Sequence, residues 1–227
     1  MENQPLDRVT IETGTHPTAA VVWLHGLGAD GHDFEPMIPE LNLEGIGPIR
    51  FIFPHAPVRP VTINHGMMMR AWYDILEISI DRKVDEEGIV ESARLVETLL
   101  TEQIDAGISP RRIVLAGFSQ GGAIAYHVGL KQTHPLAGIL VLSAYLPLPE
   151  SLNGPIDPES VGTPILCCHG LWDPVVPVTL GESSANQVKE AGWPLEWKTF
   201  PAPHSLYPDE VQEISRWLKK VLADESA

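Results

Sequence analysis

The feature that most constrains what this chain can fold into is a five-residue segment, GFSQG at residues 117–121. An apolar run precedes it and a series of small residues follows it, so the local pattern is strand, sharp turn and helix. Such a turn points the serine hydroxyl clear of the backbone, and glycines two positions before and after it let the flanking backbones pack together. We therefore predict that Ser119 is a nucleophile; the alternative is a glycine-rich turn with an idle serine.

Short apolar runs rich in β-branched residues recur along the 227 residues, and most are continuous, as expected for strands buried on both faces. The predicted strands are Ala19–Leu24, Ile49–Phe53, Arg112–Ala116, Gly138–Leu142, Pro164–Cys168 and Leu195–Phe200. Helices are predicted over Asp85–Ala106 and from Pro208 to Leu222, and the proline-rich stretch 146–164 is expected to be a surface loop. The alternation indicates an α/β fold with a mostly parallel central sheet and helices on both faces, in a single domain over residues 1–227.

Composition narrows the choice of partners and compartment. The chain has 15 basic and 30 acidic side chains, and a net charge of −15 argues against nucleic acid and against docking on anionic lipid. The two cysteines, Cys167 and Cys168, are neighbours, so no disulfide framework is expected. Because no secretory signal and no apolar stretch of about 18 residues are found, we expect a cytoplasmic protein without stable membrane insertion.

A serine nucleophile needs a base, and a histidine suits near-neutral pH. His204 is favoured because it follows the last predicted strand, at the edge of the sheet where Ser119 lies; His169 is the weaker alternative. His127 is about 12 Å further along the nucleophile's own helix, which is too far.

The base in turn needs a carboxylate that holds its tautomer. Asp173 follows the strand before the last one and gives the chain order serine, aspartate, histidine. The rival carboxylates are Asp157, in the proline-rich loop, and Asp209, at the start of a helix.

Acyl transfer also needs N–H donors for the developing oxyanion. We predict that Gln120, which follows the nucleophile, supplies one backbone amide. Leu27, in the glycine-containing turn after the first predicted strand, supplies the other.

A metal site is the alternative interpretation of that turn, because His25, Asp30, His32 and Asp33 cluster there. The two histidines are seven residues apart across glycines, which does not match the closer spacing of metal-ligand motifs. We therefore predict no metal, and expect Asp30 and His32 to hold the loop that presents Leu27.

Taken together, these segments resemble the carboxylesterases of the acyl-protein thioesterase and lysophospholipase group, within the α/β-hydrolases. The motifs that carry the resemblance are HGLGAD at 25–30, FPHAP at 53–57, RAWYD at 70–74, GFSQGG at 117–122, HG at 169–170 with Asp173 and VVP at 175–177, and HS at 204–205. The resemblance implies a triad of Ser119, Asp173 and His204, oxyanion amides of Leu27 and Gln120, no cofactor, a cytosolic location and a homodimer. Two positions depart from the family pattern, His65 and Pro203, where glycine is expected.

The acyl-binding residues are the least constrained by the sequence. Flexible thioethers and aromatic rings suit an acyl groove, and core packing explains each of them equally well. The candidate substrate contacts are Met67, Met69, Trp72, Tyr73 and Trp172.

The predicted function is that of a serine carboxylic-ester hydrolase acting on a small-molecule ester or thioester. A metal-dependent hydrolase and a non-catalytic receptor on a hydrolase fold are the alternatives. A small ester, a lysophospholipid and an S-acylated protein all remain open as substrates.

Overall fold

A computed structural model describes residues 6–76, 84–153 and 160–223 of the chain. The strands are β1 (Arg8–Glu12), β2 (Ala19–Leu24), β3 (Ile49–Pro54), β4 (Val58–Val61), β5 (Met67–Arg70), β6 (Ile113–Phe118), β7 (Gly138–Leu142), β8 (Ile165–Gly170) and β9 (Leu195–Phe200). The α-helices are α1 (Glu86–Asp105), α2 (Gln120–Gly129), α3 (Val178–Glu190) and α4 (Pro208–Val221).

Seven strands form one sheet in the order β1-β3-β2-β6-β7-β8-β9, and every pair except β1 with β3 is parallel. The two faces of the sheet are covered by different helices. Ala20, Val22 and Leu24 of β2 pack with residues of α1 and α2, whereas the alternate residues of β2 pack with α4. The predicted fold class is therefore confirmed, and the carboxyl ends of six parallel strands meet at one edge.

Most predicted elements are present with small shifts at their ends. The predicted strand from Arg112 begins at Ile113, because Arg112 lies in a short 3-10 turn and donates to backbone oxygens of Thr18 and Leu222. The helix predicted from Asp85 is α1; the Asp85 side chain accepts a hydrogen bond from the amide of Gly88 at 3.0 Å and caps it. Cys167 and Cys168 are free and buried, and contribute to core clusters on opposite faces of β8.

Sequence analysis did not identify β1, the β4–β5 ribbon or α3. Strand β1 is short and lies at the edge, and the ribbon contains Pro60 and three consecutive methionines, so neither has the long apolar run of a central strand. Within the proline-rich stretch, Pro149–Asn153 and Ser160–Gly162 form 3-10 turns, and residues 154–159 lie outside the described part of the chain. Among the described helices, none combines the length and apolar character needed to cross a bilayer.

One carboxylate of α4 is buried without full compensation. Glu210 accepts a hydrogen bond from the amide of Tyr207 at 3.3 Å, but its other oxygen has no partner among the described residues. Burial raises the pKa of Glu210 to about 7, and the bond from Tyr207 opposes this only in part. The folded protein therefore holds this proton more tightly than the unfolded chain, whose reference pKa is 4.5.

We predict that Glu210→Gln makes stability less dependent on pH. The Glu210 contribution is fully present below pH 4.5 and is lost as the pH rises through about 7. The variant should gain up to about 3 kcal/mol in unfolding free energy, relative to the parent, between pH 5 and 8. Urea unfolding across this range measures the difference. Asp209→Asn is the matched control, because Asp209 is exposed in the same helical turn; an equal pH dependence in all three proteins contradicts the prediction.

Candidate active site

The turn between β6 and α2 holds Ser119 in a backbone conformation that side chains rarely adopt. Its φ is 55° and its ψ is −120°. The Ser119 amide donates to the carbonyl of Leu142 at 2.8 Å, and its carbonyl accepts from the amide of Ala123 at 3.0 Å, so the strained residue is held from both sides. The side chain is thereby held at the edge where the parallel strands end.

Close backbone approach explains the glycines around this serine. A Cβ atom on Gly117 would lie 2.2 Å from the carbonyl oxygen of Gly121. A Cβ atom on Gly121 would lie 2.5 Å from the carbonyl oxygens of Leu24 and His25. Strand β6, helix α2 and the loop after β2 can therefore meet under the turn only because both positions lack a side chain.

The structure brings together the three side chains predicted as a triad. Ser119 Oγ lies 2.8 Å from Nε2 of His204, and Nδ1 of His204 lies 2.6 Å from Oδ2 of Asp173. Since an ionised carboxylate only accepts, Nδ1 carries the proton and Nε2 is free to accept from the serine hydroxyl. The imidazole also packs on the ring of Phe118, with 4.8 Å between ring centroids.

The loop after β8 keeps Asp173 ionised although its side chain is fully buried. Oδ1 of Asp173 accepts from the amides of Val175 and Val176, both at 2.8 Å. Burial is the largest single influence and opposes ionisation, but the bonds from His204 and the two amides outweigh it and lower the pKa of Asp173. A fixed negative charge therefore lies behind the imidazole.

The two residues predicted to supply oxyanion amides lie beside Ser119. Leu27, in the loop after β2, and Gln120, the first residue of α2, both line the same cavity as Ser119. Among the described residues, neither amide donates a backbone hydrogen bond outside the regular helices and strands. Gly26 lies against the nucleophile, since a Cβ atom on it would be 3.5 Å from that of Ser119.

Sequence analysis missed the structural role of the Gln120 side chain. Its Oε1 accepts from the amide of Trp72 at 2.7 Å, and its Nε2 donates to the carbonyl of Tyr73 at 2.7 Å. The Trp72 indole N–H donates to the carbonyl of His25 at 2.9 Å. The segment 71–73 thus joins the loop after β2, which carries Leu27, to the first residue of α2, Gln120.

A cavity of about 250 Å³ opens beside the serine hydroxyl, and its walls are mainly apolar. Besides Leu27, Ser119 and Gln120, its lining residues are Ile63, Tyr73, Ile75, Tyr145, Pro174, Val175 and Val176. The hydroxyls of Tyr73 and Tyr145 lie 2.9 Å apart in its wall.

Four of the five predicted substrate contacts lie away from this cavity, and only Tyr73 lines it. Trp72 is 0% exposed and packs in the core, so its predicted contact with substrate is corrected to a supporting role. Met67 is on the exposed face of β5, and the Met69 sulfur lies near Gly28 and accepts from Asn64. Trp172 is 67% exposed on the loop after β8.

The competing candidates make other contacts. His169 lies near the carboxyl end of β8 but is fully buried; its Nε2 donates to the carbonyl of Val176 at 2.8 Å and lies 3.6 Å from Oδ2 of Asp173, so it packs behind the triad carboxylate. His127 is buried in α2, and its Nε2 is 3.2 Å from Nζ of Lys131. Asp209 is in the first turn of α4, and Asp157 lies outside the described residues.

Side chains of the histidine and aspartate cluster after β2 form hydrogen bonds that stabilise the loop. Both ring nitrogens of His25 are engaged, with the carbonyl of Gly26 and the amide of Ala56. Asp30 accepts from the amide of His32 at 2.8 Å. Within the described part of the chain, no group of three or more histidine, cysteine or acidic side chains is arranged to hold a metal ion.

Comparison with known proteins gives consistent matches over nearly the whole chain. A family model described as Phospholipase/Carboxylesterase matches residues 6–222. The acyl-protein thioesterase 1 of Gibberella zeae is 39% identical over 214 residues, which are 90% of this chain and 91% of that protein. The crystal structure of Arabidopsis thaliana SOBER1 is 33% identical with a TM-score of 0.85, and covers 90% of this chain and 99% of its own. That of Zea mays acyl-protein thioesterase 2 is 30% identical with a TM-score of 0.83, and covers 96% and 100%.

We predict that Gly117→Ala removes the reactive serine geometry. The added methyl overlaps the backbone of α2, so the turn must open or the protein must lose stability by about 1–3 kcal/mol or more. Labelling of Ser119 by a fluorophosphonate, together with thermal melting, measures both effects. Gly162→Ala is the matched control, because a Cβ atom there meets nothing within 4 Å; normal labelling and melting of Gly117→Ala would contradict this account of the turn.

Proposed function

Because the chain belongs to the phospholipase/carboxylesterase family and has the α/β-hydrolase fold, we propose that it cleaves carboxylic esters and thioesters through Ser119, His204 and Asp173. Family membership makes the chain a hydrolase, and the triad chemistry is our inference. The observation that carries it is the 2.8 Å contact between Ser119 Oγ and His204 Nε2 beside an apolar cavity.

Acylation begins when Ser119 Oγ attacks the substrate carbonyl carbon and His204 Nε2 takes the hydroxyl proton. The carbonyl oxygen becomes an oxyanion, which the amides of Leu27 and Gln120 stabilise. When the tetrahedral intermediate collapses, His204 gives its proton to the departing alcohol or thiol. The acyl group is then bound to Ser119 as an ester.

Deacylation repeats these steps with water as the nucleophile. His204 takes a proton from water, and the hydroxide formed attacks the acyl carbon. Collapse of the second tetrahedral intermediate returns the proton to Ser119 Oγ and releases the carboxylic acid. Asp173 remains ionised throughout and stabilises the imidazolium that forms twice in each turnover.

The apolar lining of the cavity fits an apolar acyl group. Its walls of isoleucine, valine, proline and tyrosine begin at Ser119, so an acyl chain bound there has its carbonyl at the nucleophile. The relatives named acyl-protein thioesterase favour a thioester of an S-acylated protein over a free small ester. Homodimer formation, the absence of a nucleic-acid partner and a cytoplasmic location stay predictions.

We predict that Ser119→Ala abolishes turnover of p-nitrophenyl esters and acyl thioesters. Asp173→Asn should lower kcat by about 10²–10⁴-fold, because the amide no longer holds the reactive histidine tautomer. Steady-state kinetics on both substrate types measure these losses. The exposed Asp209→Asn serves as control for a lost carboxylate; a Ser119→Ala protein with parental turnover contradicts the proposal.

We also predict that the cavity, rather than the methionine ribbon, sets acyl-chain preference. Ile63→Trp narrows the cavity and should lower kcat/KM for a decanoyl ester by at least about 5-fold more than for a butanoyl ester. Met68→Trp makes a comparable change at an exposed position outside the cavity and should leave the ratio of the two unchanged. A larger effect of Met68→Trp on this ratio would assign the acyl site to the ribbon instead.

A further inference from the structure

We propose that His25 is the positioning residue of the oxyanion hole, because its imidazole fixes the peptide plane that aims the Leu27 amide at the substrate oxygen. The inference rests on the proposed function and adds a residue to it. Two observations support it: two hydrogen bonds to the carbonyl oxygen of one peptide unit, and hydrogen bonds at both nitrogens of the His25 ring.

The peptide between Gly26 and Leu27 is held at its carbonyl end. The Gly26 oxygen lies 2.7 Å from Nδ1 of His25 and also accepts from the amide of Ala29 at 3.3 Å. In a trans peptide, C=O and N–H point in opposite directions, so fixing the oxygen fixes the N–H as well. The Leu27 N–H is thereby directed to the side opposite these donors, where Leu27 lines the cavity beside Ser119.

The neighbouring backbone determines the tautomer of His25. The amide of Ala56 donates to Nε2 of His25 at 3.0 Å, so Nε2 has no proton. A neutral ring then carries its only proton on Nδ1, where it is donated to the Gly26 oxygen. Burial is the main cause that lowers the pKa of His25 to about 4, so the ring stays neutral at physiological pH.

The same histidine is connected to the second amide of the site. The carbonyl of His25 accepts from the indole of Trp72, and the amide of Trp72 donates to the side chain of Gln120. The two rings pack with 5.4 Å between centroids, and His25 is only 1% exposed. A displacement of His25 therefore changes the position of Leu27 relative to Gln120, and the two amides must converge on one oxygen.

Three substitutions separate this role from simple core packing. His25→Phe keeps the ring and removes both polar atoms. His25→Asn places an amide group at the same number of bonds from the backbone as Nδ1, where it can donate to the Gly26 oxygen. His25→Gln places its amide group at the position of Nε2, where it can accept from Ala56 but not donate to Gly26.

We expect His25→Phe to lower kcat by about 10–100-fold, with KM changed less than about 2-fold, because the lost interaction is made in the transition state. His25→Asn should recover at least about 5-fold of that loss, and His25→Gln should not. Inhibition by a trifluoromethyl ketone, which forms a tetrahedral adduct with an oxyanion, should weaken in parallel with kcat/KM.

Val188→Ala is the control for lost packing. Val188 is fully buried in α3 within a core cluster separate from that of Trp72. This variant should melt at a lower temperature and keep the parental kcat and ketone affinity. If His25→Phe behaves in the same way, His25 has only a packing role and the proposal is overturned.

The outcomes also separate this inference from the proposed function. If all three His25 variants keep the parental kcat and the Ser119→Ala protein is inactive, only the role of His25 is overturned. Turnover by Ser119→Ala overturns the proposed function itself. If His25→Phe does not fold, the Asn and Gln variants decide the question, and equal activity of these two overturns the proposal.

Discussion

The strained turn at Ser119 is the constraint on which the rest of the site depends. A φ of 55° aims the serine hydroxyl away from its own strand, and it is maintained because β6 and α2 approach closely through Gly117 and Gly121. Strand β6 lies in the middle of the sheet, with β2 on one side and β7, β8 and β9 on the other. Because these strands are parallel, the loops after β2, β8 and β9 end at the same edge and bring Leu27, Asp173 and His204 to the serine.

Burial disfavours the charged form of three ionisable groups, Asp173, His25 and Glu210, and hydrogen bonds outweigh it only at Asp173. Asp173 stays charged because His204 and two amides donate to it. His25 stays neutral because burial dominates and one of its nitrogens accepts from a backbone amide. Glu210, further along the chain, accepts one amide bond, and its other oxygen has no partner in the described part of the chain, so burial raises its pKa. The two carboxylates therefore differ in pKa direction because three donors surround Asp173 and one amide donates to Glu210.

Features that depend on the local residue pattern and on chain order could be predicted from the sequence. Continuous apolar runs located the central strands, such as β2 and β7, and the position of His204 after the last strand placed it at the edge beside Ser119. Side-chain directions that depend on tertiary contacts could not be predicted from the sequence. Residues 67–73 have no period, so nothing local shows that Trp72 faces the core whereas Tyr73 lines the cavity. The wall formed by Ile63, Tyr145 and Val176 comes from three distant segments. The side-chain bonds of Gln120 and His25 to backbone atoms likewise have no signature in the sequence.

The central claim is that an acyl group is transferred to Ser119 during turnover. The most direct measurement is the intact and peptide mass of the protein after turnover of a p-nitrophenyl ester is stopped in acid within milliseconds. The account predicts a mass increase of one acyl group on the peptide that contains Ser119, with an equal amount of nitrophenol released in an initial burst. If the protein turns over the ester but the Ser119 peptide never gains the mass of the acyl group, the account is contradicted.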